Sequence, residues 1–486
     1  MADFDIAWVE VGVIPRWLIT SMGDGSGVAS ISVKVNTGCT LYLDGTAKFY
    51  SNSAGTLNES ISWTPNPGSM TTRYVRCPSG TAYLTFNDPS LLIGAGHVIS
   101  DSSGNSLWGY SGGYTNIPFL NCSDWYFPNC VDIAIFYSER CNFTSSISKL
   151  SPNLQRFLNT GAGTFTGALM DIPDACIIFA LNIANTISGN LADLPSGMTQ
   201  FLLYGSNTIT GDVINLPGGI TKISIAGYNT IYGDIGDIPV TIIVVVIVGN
   251  TTLHGDIAGI GSLVTNFQVG GTNTITGDIA DIPSSVKTIN ISGNNTIYGN
   301  LINFSASITS CSIAGSNTIT GGFTALPAGL TYLSIGGSNT VNGNLSNLPT
   351  NITSVSITGS NTVSGSLASL GTSIYYLSIG GSNTVSGNIG NLTTACVSFT
   401  LTGNNTVSNY TGKTWTATGY YIYFIPTGAG GLDATEIDNL LIDIDAGCPF
   451  TGAKVIYLKG TNAAPTAASA AARASLIAKG VTLTTN

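Results

Sequence analysis

The chain has 486 residues, of which only 8% are charged and 60 are glycine, and its 25 acidic against 15 basic residues give a net charge of −10. No basic cluster breaks that balance, so the electrostatic footprint of a nucleic-acid partner is missing. A hydrophobic content of 43% suffices for a large core and excludes generic disorder.

The amino terminus places Asp3 and Asp5 ahead of the first arginine, Arg16, and carries no basic leader, so a secretory signal is not expected. The longest apolar run, Val240 to Val248, is strand length and far below the roughly 18–20 residues that span a bilayer. No membrane insertion is expected. Nine cysteines, an odd number spread over the chain, fit reduced thiols better than a disulfide framework. Residues 1–130 hold five of the six tryptophans, and alternating segments at Thr40–Leu43, Ala47–Tyr50 and Ala82–Phe86 predict a small all-β module. The glycine- and aromatic-rich segment from Trp108 to Cys130 is expected to cap the first coil of the repeat region, and Val131–Ile135 reads as a strand leading into it.

From residue 131 to 425 the chain repeats itself. An Asn-Thr-Ile-x-Gly string recurs at one constant interval, with its origin at positions 163, 185, 207, 229, 251, 273, 295, 317, 339, 361, 383 and 405. Only Gly163 and Thr251 replace asparagine there, threonine follows in all twelve units, and a weaker unit begins at Cys141. Apolar residues lie nine, six and four before the origin and two, six and nine after it, as in Leu330, Leu333, Ile335, Val341, Leu345 and Leu348. That set fits no single helical face. Alternation such as Leu333-Ser334-Ile335 reads as short strands separated by glycine, so each unit is one coil of a solenoid that buries its six apolar residues against its neighbours. The origin residues Asn185, Asn207, Asn229, Asn273, Asn295, Asn317, Asn339, Asn361, Asn383 and Asn405 form a predicted structural ladder. Glycine two before the origin marks a turn with positive φ or a contact too close for a Cβ, and proline after the last apolar position marks a corner. Cys176, Cys311 and Cys396 occupy aliphatic positions and are expected to be buried and inert.

The repeat string Leu-x-x-Leu-x-Ile-x-Gly-x-Asn-x-Ile-x-Gly-x-Ile-x-x-Leu-Pro resembles the leucine-rich repeats, with one departure: three residues, not two, separate the last strand aliphatic from the asparagine. Either the asparagine turn carries a bulge or this is a related β-solenoid. After the repeats, Asp433-Ala-Thr-Glu436 is a capping box opening a helix through Ile437, Leu440, Leu441 and Ile444. A strand at Lys454–Leu458, a second helix from Pro465 to Lys479 and a last strand at Val481–Thr484 complete an α/β cap over residues 426–486. The fold class expected is thus mainly β, a 22-residue-repeat, leucine-rich-like solenoid between an N-terminal all-β module and a C-terminal α/β cap. The segment from Gly452 to Asn486 resembles a terminal module of fibre and other virion proteins of phages of gut and aquatic Bacteroidota, and Leu41 to Asn52 is similar to a strand module of such proteins.

Between Gly163 and Asn405 there are nine aspartates, two lysines, one histidine and no arginine or glutamate. That inventory offers little for acid–base catalysis, and no enzyme activity or cofactor is expected. Asp212, Asp234, Asp256 and Asp278 share one repeat position and are expected to stack at about 4.8 Å, either as solvated caps of backbone amides or as a cation-binding edge suited to calcium. Thr208, Thr230, Thr252, Thr274 and Thr296 belong to an outward threonine column whose hydroxyls satisfy one another or meet a ligand. In the column two residues further on, Tyr232, His254 and Tyr298 are candidates to stack on sugar rings. A rigid, nearly uncharged rod, about 55 Å long for twelve coils, suits a phage virion fibre or spike made in the bacterial cytoplasm and exposed on the particle. Its expected partners are a host surface glycan or protein and, through the N-terminal module, other virion proteins and sibling chains, with a trimer the guess. A bacterial adhesin or surface-layer protein is the alternative; a carbohydrate depolymerase or an ice-binding protein ranks behind.

Overall fold

The computed structural model describes residues 16–20, 28–35, 37–43, 47–51, 57, 59–68, 70–76, 81–87, 92–100, 119–122, 132–135, 142–150, 152–159 and 163–486, apart from 394, 404, 405, 429 and 453. Asn405, Cys141, Val131 and most of the segment from Trp108 to Cys130 therefore lie outside the described residues. Strands predominate, and the chain divides into two compact units, residues 1–233 with 238–251 and residues 234–237 with 252–486.

The first unit opens with antiparallel strands. Val28–Val35 lies between Met70–Arg76 and Leu92–Ser100, and Arg16–Thr20 and Leu41–Leu43 both pair with Thr81–Phe86. Val35, Leu41, Phe49, Trp63, Val75 and Leu84 are buried among them, with the Phe49 and Trp63 rings edge to face at 5.7 Å. The pairing then changes sense. Leu92–Ser100 receives Asp132–Ile135 in parallel, and Phe119–Cys122 receives Asn142–Ser146, so the antiparallel module continues into the first parallel coils through shared sheets. A ladder of buried rings, Phe157, Phe179 and Phe201, with centroids 5.5 and 6.1 Å apart, runs through the next coils.

Each regular coil has three sides. In the first unit, Gln200–Asp212 is extended throughout, a one-turn 3-10 helix at Val213–Asn215 comes next, and Pro217 makes the corner, its carbonyl accepting the Ile220 amide at 2.9 Å. The second unit repeats the pattern with Tyr332–Asn344, Leu345–Asn347 and Pro349. All six apolar positions are buried, Leu330, Leu333, Ile335, Val341, Leu345 and Leu348 among them. Each such side chain contributes at most about 1.5–3 kcal/mol on burial, so stability accumulates coil by coil.

Every origin asparagine from Asn185 to Asn383 is fully buried, and so is Thr251 in the same position. Its amide explains how a polar column survives in the core. Asn207 Oδ1 accepts the Ile187 amide of one neighbouring coil at 3.0 Å, and its Nδ2 donates to the Ala226 carbonyl of the other at 3.2 Å. In the second unit Asn295 does the same with Ile275 and Ala314, at 3.0 and 2.9 Å. A turn whose backbone groups have left the sheet ladder is in this way satisfied by side chains.

At the asparagine turn the strand register slips. Leu203 pairs with Ile225, one full repeat on, but Asn207 pairs with Gly227, two positions short of a full repeat. Ile335 with Ile357 and Asn339 with Gly359 repeat the slip in the second unit. Past each asparagine, residues sharing a repeat position are therefore offset by two residues, about 6–7 Å along the strand.

The second unit ends with Tyr420–Pro426, the helix Ala434–Gly447, the strand Lys454–Leu458, the helix Ala470–Ala478 and the strand Thr482–Thr485. The three strands extend the parallel sheet in that order. The capping box forms as its sequence implies, Asp433 accepting the Glu436 amide at 2.8 Å and Glu436 accepting the Asp433 amide at 2.9 Å.

Candidate binding surface

The aspartates do not stack on one another, and here the geometry corrects the expectation. Because of the register slip, Asp212 faces Tyr232, Asp256 faces Thr276 and Asp278 faces Tyr298. Each carboxylate caps its own 3-10 turn: Oδ1 of Asp212, Asp234, Asp256 and Asp278 accepts the amide two residues on, at 3.1, 2.8, 2.9 and 2.9 Å. Asn190, Asn300 and Asn344 make the same bond without a charge, at 3.0 Å each. Among the described residues no three His, Cys, Asp or Glu side chains are grouped to hold a metal ion.

Thr208, Thr230, Thr252, Thr274 and Thr296 are all exposed. They do not stand opposite one another either: Thr230 faces Thr210, and Thr274 faces His254. The continuous threonine ladder lies elsewhere, eight residues before the origin, where Thr353 Oγ1 donates to the Thr331 carbonyl and Thr331 Oγ1 to the Thr309 carbonyl, each at 2.9 Å. Tyr232 belongs to the first unit, His254 and Tyr298 to the second, and all three are exposed. His254 Nδ1 lies 3.6 Å from Asp234 Oδ2, while Tyr298 is flanked by Asp278 and Thr318. Within the second unit His254 faces Thr274 and Tyr298 lies between Asp278 and Thr318, so neither ring stands opposite the other.

Another face of the second unit does assemble rings. Seven residues before the origin, the side chain points outward, and successive strands there carry Tyr332, Ser354, Tyr376, Ser398 and Tyr421, directly paired in that order. Two residues further along, Ser334, Ser356, Ser378, Thr400, Tyr423 and Tyr457 pair likewise. Tyr423 stacks on Tyr457 with centroids 5.4 Å apart and 16° between planes, and Tyr421 lies 4.7 Å from Tyr423. The Tyr423 phenol is held above its ordinary pKa, chiefly by its hydrogen bond with Tyr421.

Between Tyr332 and Tyr376 the small side chains open a cavity of about 700 Å³, lined also by Ser334, Thr353, Ser354, Ser356 and Tyr375. No charged residue lines it. In the next interval Ser398 is only 5% exposed, and its hydroxyl has no hydrogen-bond partner. This face combines apolar ring surfaces with hydroxyls, the makings of a binding surface for a neutral, hydroxylated ligand. Sequence reasoning passes over it because the tyrosines alternate with serine. The signal is nonetheless present, as bulky rings at an outward strand position otherwise occupied by small polar residues.

No family model matches the chain, and no curated protein matches it. Among solved structures it is similar to a plant peptide hormone receptor, RGFR1 in complex with RGF2, at 16% identity over 69% of this chain and 63% of that one, with a TM-score of 0.41. It is also similar to CroV588, described as a circular LRR protein, at 13% identity over 64% and 57% of the two chains, with a TM-score of 0.23. The chain thus spans less than two thirds of either structure. Both neighbours are leucine-rich-repeat proteins, while the solenoid itself is established by this chain's own strand register.

Proposed function

We propose that this chain is a non-catalytic adhesion protein, a fibre or spike on a phage particle that holds a host-surface ligand against the outer face of its solenoid. The observation that carries the reading is the tyrosine and serine face from Tyr332 to Tyr457, a surface of exposed and half-buried rings whose cavity between Tyr332 and Tyr376 is lined by hydroxyls and no charged side chain. An uncharged recognition face suits adhesion, because many weak contacts on a multimeric particle sum to avidity without a covalent step. The virion setting is supported by the resemblance of the segments from Leu41 to Asn52 and from Gly452 to Asn486 to phage structural modules. In this reading the N-terminal module attaches to other virion proteins or sibling chains.

Two measurements test the reading. Purified chain is incubated with a panel of Bacteroidota cells, and the bound fraction is read by sedimentation; retention on at least one strain is expected, and none on any strain overturns adhesion. Antibody labelling of purified phage particles separates the virion setting from a bacterial surface adhesin. Release of reducing ends from host capsule would instead make the chain a depolymerase.

A further inference from the structure

We propose, resting on the adhesion reading, that the alternating tyrosines and serines form slots that each hold a pyranose ring of an uncharged glycan, the sugar chain running along the strand that bears Ser354 and Ser356. Tyr332 and Tyr376 are separated by the single strand bearing Ser354, hence by two strand spacings, about 9.6 Å. A flat aromatic guest in contact with a ring on each side spans about 7–8 Å and leaves the slot loose. A puckered sugar ring is thicker by its axial hydrogens and fills the remainder. It presents C–H groups to the two tyrosine faces and hydroxyls to Ser354, Ser356 and Thr353 below and beside it.

The next interval repeats the design. Ser398 is flanked by Tyr376 on one strand and Tyr421 on the other, so the two slots share Tyr376. Its buried hydroxyl is one of two buried side-chain polar atoms left without a partner among the described residues. A native protein rarely leaves such a group unpaired, and a sugar hydroxyl supplies the missing partner. Tyr421 is 41% exposed, and a χ1 change that gives up its contact with Tyr423 opens this slot. The lining of the Tyr332–Tyr376 slot, which has no charged residue, selects neutral sugars over uronic acids or sialylated chains.

The test uses the intact chain and calorimetric titration with cellohexaose, xylohexaose, mannohexaose and isomaltohexaose, and with hyaluronan hexasaccharide as the charged counterpart. At least one neutral hexasaccharide binds, and hyaluronan does not bind more tightly. Tyr376→Ala removes the shared wall, and Ser354→Tyr keeps both walls while filling the slot; each weakens binding roughly tenfold, whereas Tyr376→Phe retains it. Ser398→Ala weakens binding yet raises the thermal midpoint, because the orphaned hydroxyl is gone; a merely structural serine would not move both readings in opposite senses. Failure of every neutral hexasaccharide to bind, or full binding by a folded Ser354→Tyr chain, overturns the slots. A Ser354→Tyr chain that still adheres to cells as well as the wild type leaves adhesion standing and sinks the slots alone. Competition of cell binding by an aromatic peptide and not by sugar would replace the glycan with a protein ligand.

Discussion

Asn317 Oδ1 accepts the Ile297 amide at 3.0 Å, while Asn317 Nδ2 donates to the Gly336 carbonyl at 2.9 Å and to the Ile313 carbonyl at 3.3 Å. One side chain thereby ties three successive coils through their turns. Replacing Asn317 by alanine orphans a buried amide and a buried carbonyl, and a loss of about 2–5 kcal/mol is expected as a lowered urea midpoint. Asn317→Asp keeps the acceptor but faces a carboxylate with two carbonyls. Its deficit grows as pH rises above about 4, where the unfolded aspartate ionises and the folded one resists. A pH-independent deficit would refute this account of the ladder.

Gly315 has φ of +128°, and a Cβ placed on it would lie 2.4 Å from the Asn295 carbonyl oxygen. Backbone rather than a pliable side chain blocks the space, so Gly315→Ala suffers both strain and clash, and a loss of about 3 kcal/mol or more is expected. Gly218, at a corner with nothing within 4 Å of the added methyl, is the control. Gly218→Ala should leave the thermal midpoint unchanged or slightly raised. Equal effects at the two positions would contradict the turn geometry.

The six apolar positions of each coil were legible in the sequence because burial on one interior imposes a strict period, and Leu330 through Leu348 obey it. The helix Ala434–Gly447 and the strand Lys454–Leu458 were legible from a capping box and a short apolar run. Register was not. A sequence period says which residues are equivalent, not which are opposite, and the register slip at Asn207 sets Asp212 against Tyr232. The tyrosine and serine face escaped for a related reason. Its rings obey no repeat consensus, and Tyr421 comes one position later than a full repeat after Ser398, outside the count altogether.

Asp278 accepts the Ala280 amide at 2.9 Å, and two coils with asparagine in the same position, Asn300 and Asn344, bond their 3-10 turns equally well. The charge is therefore dispensable and the acceptor is not. Asp278→Asn is expected to change stability by less than about 0.5 kcal/mol, whereas Asp278→Ala loses about 1 kcal/mol with the cap. Thermal midpoints of both variants, each with calcium and with chelator, check this. A calcium-dependent midpoint in the wild type that vanishes in Asp278→Asn would restore the cation-binding edge.

A half-buried lysine and two buried thiols act in opposite senses on stability in alkali. Burial holds the Lys413 ammonium down at about 8 against an ordinary 10.5, although its Nζ donates to the Thr393 carbonyl at 2.9 Å and lies 4.2 Å over the Trp415 ring. Between those two values the unfolded chain holds the lysine proton and the folded chain releases it, so stability rises with pH across that window. Burial pushes the Cys311 thiol up to about 12 from 9.0, and Cys176 moves alike. Between 9.0 and 12 the unfolded thiol loses its proton while the folded one keeps it, so their contribution falls as pH rises. From pH 8 to 9 the lysine acts almost alone and the thermal midpoint should climb slightly; above pH 9 the thiols should turn it downward. Lys413→Met removes the climb, and Cys311→Val, an aliphatic residue found at that position in other coils, makes the descent shallower. A midpoint that falls from pH 8 onward with the same slope in Lys413→Met as in the wild type would show that the lysine is not held neutral by the fold.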